Sequence, residues 1–305
     1  MSAQEQVRAT DGPLAPLAPP PRAVKTMRSG RLGYWLGRVF IYALVLVGAF
    51  LYAMPFVWML STSVKPAYQV YLVPPVWIPE TFQWSNYWVP WGNLPFVTFY
   101  TNTAIITIST MVGMLISSSL VAFAFARMRF RGRDTLFLII LSTMMLPSQV
   151  TLIPIYVLWS KLHLINTLWP LIIPYFFGGA FQIFLIRQYM MSIPLEMDDA
   201  ARMDGANWFQ IFYRIIVPMS APVLGVVAIF HFTFSWNDFL SPLIYLNDSN
   251  QFTISLGLQL LNSRYVSDIQ QTMAQTIVAL IPVLVVFFVA QKSYIQGIVI
   301  SGVKG

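Results

Sequence analysis

The sequence has 305 residues, 57% of them hydrophobic and only 10% charged, with a mean hydropathy of +0.66 and a formal charge of +7. Globular domains carry about 25% charged residues, so this chain cannot cover a water-facing surface and its natural solvent is lipid. That excludes a soluble enzyme, a disordered chain, collagen and a disulfide scaffold; with no cysteine, no disulfide or Cys-ligated metal site can exist.

In chain order, residues 1–33 come first. They hold a Pro-rich run from Pro13 to Pro21, then Arg22, Lys25, Arg28 and Arg31. Such a composition builds no core and reads as a disordered arm. The apolar stretch that follows is too long and too aromatic for a signal peptide, and reads as a retained anchor. A spanning helix needs about 20 mostly apolar residues. Six segments without an internal Lys or Arg meet this: 39–60, 96–126, 135–159, 164–186, 218–240 and 272–291. The second is long enough to tilt or to project into water. Pro147, Pro154, Pro170 and Pro174 interrupt the third and fourth. Ordinary kinks and true breaks, the latter needing packed neighbours or a cavity for the freed carbonyls, both stay open.

The basic residues fall on alternate loops. The arm through Arg38, the turn carrying Arg127, Arg129, Arg131 and Arg133, the loop carrying Arg187, Arg202 and Arg214, and the tail with Lys292 and Lys304 hold all but three of the 18 Lys and Arg. Lys65, Lys161 and Arg264 are the remainder, on the other side. By the positive-inside rule, both termini and the 187–217 loop are expected in the cytoplasm.

That loop has its own pattern. Ser192 and Pro194 are residue types of a helix start, and Glu196, Asp198 and Asp199 follow in or near a first turn, where the helix dipole favours anions. Ala200 and Ala201 add a helical surface with little bulk, and Arg202, Met203 and Asp204 lead to Gly205, where the chain can turn before Ala206. Trp208 to Ile216 then resumes an apolar helix ending at Pro218. The expected product is a short helix, a glycine break and a second helix returning to the membrane: a knob over 195–206 shaped to dock into another protein. A solvated helix that merely joins two spans is the plainer alternative.

The stretch Asp199-Ala200-Ala201, Arg202-Met203-Asp204, Gly205, followed by Ile215-Ile216-Val217-Pro218, resembles the EAA motif of ABC importer permeases. Ala-Arg-Met-Asp-Gly-Ala at 201–206 is similar to the maltose-type carbohydrate-uptake branch. So are Met144 to Pro147 with Gln149, Asn166-Thr167, Trp236 to Phe239 and the closing Gly302 to Gly305. The resemblance covers about residues 35–305. It implies an all-α, six-span permease domain over 34–305 with the type I importer fold and a coupling helix between spans four and five. It also implies a second permease subunit, an ATPase dimer, an extracytoplasmic solute-binding protein and a sugar-type substrate. Asp199 would pair with the ATPase, the alanines would allow close approach, and Gly205 would make the bend. Asp199 departs from the usual Glu, keeping the charge and shortening the reach by one methylene. The closing tail is a further place where the resemblance implies ATPase contact.

No GxxxxGK[ST] phosphate loop occurs, so ATP chemistry is expected on a partner. No cofactor, metal or nucleic acid is expected. His163 and His231 lack a metal-site context, and His231, ~20 Å along span five, fits a helix-to-helix hydrogen bond better than a proton relay. Polar groups inside spans fall in the outer half. Asn102 lies near the outer surface, Gln149 ~20 Å along span three, and Asn237 and Asp238 ~30 Å along span five beside Trp236. They are candidates for a solute path, or each ties neighbouring helices together. The outer segment 61–95, with Trp77, Trp84, Trp88 and Trp91, reads as an interfacial aromatic belt with docking as a second role. An ion-gradient transporter working alone remains the alternative; an intramembrane enzyme has no catalytic constellation here.

Overall fold

The computed structural model describes residues 31–264 and 268–302, with side chains placed for 34–263 and 268–290. The expected disordered arm lies, up to residue 30, outside the described residues, as do Val303, Lys304 and Gly305 of the tail. The described residues contain helices and turns and no strand. The chain divides into two compact units between Met54 and Pro55. In the first, the helix α1 (Arg31–Ser63) begins eight residues earlier than the apolar run suggested, and from Tyr34 to Met54 nearly all its side chains are exposed.

The second unit starts inside the same helix. Lys65 closes the turn after it, and the segment to residue 95 is a folded cap rather than an open loop. Asn86 Nδ2 donates to the carbonyls of Ser63 (2.9 Å) and Lys65 (3.0 Å), and Gln275 Nε2 donates to Tyr87 O (2.9 Å). Lys65 itself is fully buried, its ammonium 3.8 Å from the Trp58 ring centre. Burial pushes its pKa below the ordinary lysine value. The four tryptophans of this segment are exposed.

α2 (Phe96–Arg127) is the central helix, packed along the helices Ala180–Ser192 and Ala221–Trp236. Its start and end match the uninterrupted apolar run to within a residue. Gly113 lets the Phe176 ring approach so closely that a Cβ would lie 2.6 Å from it. The expected third span is two helices, α3 (Arg133–Thr143) and α4 (Ser148–Lys161), bent by 93°. Pro147 stands at the start of α4, where its missing N–H costs nothing, whereas Pro154 is carried inside α4 without ending it. Pro170 and Pro174 occupy first turns of a short α-turn, Trp169–Ile172, and a 3-10 turn, Ile173–Phe177. Gly178, at φ +79°, then leads into α5 (Ala180–Ser192).

α6 (Glu196–Met203) is the knob helix. Trp208–Ile211, a π-helical turn over Phe212–Ile216 and Val217–Met219 lead back, and a 74° bend at Ser220 opens α7 (Ala221–Trp236). The helix expected to end at Pro218 runs one residue further, to Met219. α8 (Ile254–Arg264) and α9 (Ile269–Gly302) complete the described chain. Tyr34–Ser63, Phe96–Arg127, Trp169–Ser192 and Ile269–Ala290 are long and apolar enough to span a bilayer, and the two bent pairs bring the number to six if each is one span.

Candidate functional site

The knob is built by its two joints. Ile193 takes the extended backbone that a residue before proline prefers, which ends α5. Ser192 is not the start of the next helix as expected: its hydroxyl donates to Tyr189 O (2.7 Å) and closes α5. Leu195 precedes α6 without a side-chain cap, and Glu196, Asp198 and Asp199 occupy the first turn as the pattern implied. At the far end, Ala206 N donates to Ala201 O and Gly205 N to Arg202 O, both 2.9 Å. With Gly205 at φ +83°, that is the paired-bond helix stop in which only glycine is free of strain. The return helix opens on a reciprocal cap, Asn207 Oδ1 accepting from Gln210 N (2.9 Å) and Gln210 Oε1 from Asn207 N (2.8 Å). The Asn-x-x-Gln spacing announced this cap, although the sequence reading passed over it.

The two faces of α6 differ. Glu196, Asp199, Ala200, Arg202, Met203, Asp204 and Gly205 are exposed, with Ala206 half-buried. Asp198 and Ala201 are buried. The alanine surface expected to face a partner is thus split: Ala200 points out, and Ala201 packs into the protein's own core beside Phe123, Ile193 and Ile211. Two adjacent helical residues are 100° apart, so one cannot bury both against the same neighbour.

Asp198 meets Arg127. This arginine, one of the basic residues expected on the inner side, has a side chain 1% exposed and that of Asp198 is 6% exposed, with Nε 3.5 Å from Asp198 Oδ2. Arg127 Nη2 also donates to Ile193 O (2.9 Å). Burial raises the Asp198 carboxyl above the ordinary aspartate value, against the opposing pull of Arg127 and Arg202. Nearby, Arg187 donates to Phe125 O (3.3 Å) and lies over the Phe137 ring, and Arg202 lies 3.8 Å over Trp208, whose ring meets Phe123 edge-on.

The five polar or aromatic positions proposed for a solute path do not converge. Asn102 is buried and donates to the carbonyls of Asn250 (3.0 Å) and Phe252 (3.1 Å); Trp236 is buried and donates to Ala279 O (3.0 Å). Both are ties between segments, because a buried donor in an apolar bundle must find an acceptor. Gln149 and Asn237 are exposed, the latter bonded to its own helix at Thr233 O. Asp238 accepts from Ser241 N (3.2 Å) and lines a cavity of about 180 Å³ with Trp159, Tyr175, Tyr245 and Thr253. Trp159 Nε1 and Thr253 Oγ1 are buried there with no hydrogen-bond partner among the described residues. Sequence reasoning missed these two, since neither belongs to a recognisable motif. Asn166, at φ +62°, accepts from the N–H groups of Asn247 and Asp248 and fixes an adjoining loop. His231 bonds Thr110 Oγ1 (2.9 Å), with Ser235 and Thr107 continuing the chain of hydroxyls, which is the helix-to-helix role expected of it.

A helical membrane protein with a knob set between two spans is the class these features define. Residues 113–298 match the model of the binding-protein-dependent transport system inner membrane component family, and the chain belongs to that family. It is 37% identical over 254 residues to the putative ABC transporter permease protein ORF2 of Caldicellulosiruptor sp. (strain Rt8B.4), covering 82% of this chain and 91% of that one. It is 34% identical over 229 residues to the arabinooligosaccharides transport system permease protein AraQ of Bacillus subtilis (strain 168), covering 74% and 81%. The fold matches a chain of a bacterial ABC transporter involved in the import of the acidic polysaccharide alginate, with a TM-score of 0.76 at 25% identity over 86% of this chain and 98% of that one. The chain is therefore a permease of binding-protein-dependent transport, and the ion-gradient alternative has no support.

Proposed function

We propose that this chain is one of two membrane-spanning subunits of an ATP-driven importer for a sugar or sugar-like solute, its energy supplied by a separate ATPase dimer. A binding protein delivers solute to the outer face, and closure of the ATPase dimer is transmitted through the knob to the bundle. The observation that carries this reading is the knob itself: an acid-rich exposed face on a helix held rigidly from below. Glu196, Asp199, Ala200, Arg202, Met203, Asp204 and Gly205 form the docking face, while Asp198 and Ala201 support it. Alternation between inward and outward states requires that the partners contact each state differently. The placement of basic residues supports a cytoplasmic knob and cytoplasmic termini.

The sugar class is supported by the names of the relatives and by the cavity beside Asp238. Its aromatic rings, carboxylate and unpartnered donors suit a polyhydroxylated guest or the water that precedes it. Among the five positions first considered, Asp238 is the one with a place on that path.

Purification of the full chain from its own membranes in mild detergent tests the assignment. An ATPase subunit is expected to accompany the wild-type chain and to be lost from Ala200→Arg, which places a bulky cation on the exposed face, but kept by Ala200→Ser. Solute uptake into ATP-depleted vesicles by this chain alone, driven by an ion gradient, would overturn the reading.

A further inference from the structure

Force applied to a short helix hung between two breaks in the helical ladder rotates the helix unless something else holds it. The joints here are the extended Ile193–Pro194 link and the Gly205 turn at φ +83°. Three contacts bridge both joints to the carboxyl end of α2. Arg127 Nη2 grips the Ile193 carbonyl at the first joint, and Arg127 Nε faces Asp198 within the knob helix. Arg202 over Trp208, with Trp208 edge-on to Phe123 of α2, closes the second. A basic residue in the last turn of a helix ordinarily stays solvated and interacts with that helix's own carbonyls. Arg127 instead reaches out of its helix to two different groups, which the spread donors of a planar guanidinium serve better than the single ammonium of a lysine.

We propose that Arg127 is a positioning residue that clamps the knob to the central span, so that α6 and the end of α2 move as one body when the ATPase pulls. This rests on the coupling role proposed above. The clamp routes force directly into the helix that contacts both α5 and α7, rather than through the bent chain on either side of the knob. Its pairing with Asp198 is an ion pair without a hydrogen bond: Arg127 Nε and Asp198 Oδ1 are both buried with no hydrogen-bond partner among the described residues, and the Nε–Oδ2 separation is 3.5 Å. A transmitting contact must differ in strength between two conformations, and this one has room to tighten.

The test uses the intact transporter in lipid nanodiscs and proteoliposomes. The double variant Arg127→Met/Asp198→Leu leaves no unpaired buried charge, and such apolar replacements usually preserve folding. Transport is expected to fall further than ATP hydrolysis. Solute moved per ATP is expected to fall at least about fivefold, the lower end of a typical coupling between sites. Hydrogen exchange over 193–206 is expected to rise while that over 100–120 stays fixed. If the double variant does not accumulate, Arg127→Lys keeps the charge without the fork and is read the same way, with a smaller loss. Transport and hydrolysis falling in proportion, or unchanged exchange in the knob, would overturn the clamp. Absence of an ATPase from the unmodified complex would instead sink the importer reading, and the exchange measurement on the chain would still decide whether the knob is held by Arg127.

Discussion

Asp198 shows how one buried carboxylate shapes the knob's response to acid. Burial is the largest influence and raises its pKa; Arg127 and then Arg202 oppose the rise, and Asp199 adds to it. A carboxyl that holds its proton more tightly folded than unfolded favours folding most below its unfolded value, here 3.8, and loses that contribution as pH rises through the folded value. Asp198→Asn cannot titrate. The melting temperature of wild type minus that of Asp198→Asn is therefore expected to be larger at pH 4 than at pH 8, read by scans of the detergent-solubilised protein at stepped pH; a constant difference would contradict it. Gly205 carries a separate cost. Nothing lies within 4 Å of a Cβ built there, so Gly205→Ala meets no neighbour and suffers only the left-handed backbone. That amounts to about 1–2 kcal/mol, visible as a lowered melting temperature of the knob region and earlier hydrogen exchange over 199–206.

Between elements, the joints decide the architecture. The return from the knob begins at the reciprocal cap of Asn207 and Gln210. Asn207→Ala removes one bond of the pair and is expected to cost about 1 kcal/mol, with faster exchange confined to 207–212; exchange that quickens throughout α7 would show that the cap acts on more than its own turn. α2 was legible in the sequence because its apolar run is unbroken, and hydropathy measures just that. The 93° and 74° bends were not, since a window of apolar residues has the same composition whether the helix is straight or folded back. The knob was legible as a helix, a glycine stop and a return, because glycine and acidic first turns are local signals. Its inner face was not: Ala201 and Asp198 are turned inward by packing against α2, which lies some 70 residues earlier in the chain. Arg127 was hidden for a related reason. Counting it as an inner-loop charge gives its side of the membrane but says nothing of the Ile193 carbonyl or Asp198 that it reaches.

At the scale of the second unit, charged side chains and ties to loop carbonyls lie toward two ends, and between them run the hydrogen-bonded hydroxyls around His231. One end holds the knob and its arginines. The other holds the folded cap over 61–95, the carbonyl ties of Asn102 and the cavity beside Asp238. This polarity makes the direction of the chain across the membrane a statement about function, because a knob on the outer side could not meet an ATPase. The absence of cysteine provides a clean background for asking. Val73, 92% exposed in the cap, and Arg131, exposed in the turn after α2, mark the two ends without touching the proposed docking face. Val73→Cys is expected to react in intact cells with a membrane-impermeant maleimide, and Arg131→Cys only after the membrane is opened. The basic residues flanking Arg131 argue for that order, since moving such a cluster outward runs against the positive-inside bias. Reaction of Arg131→Cys in sealed cells, with Val73→Cys protected, would reverse the orientation and remove the physical route from ATP hydrolysis to the bundle.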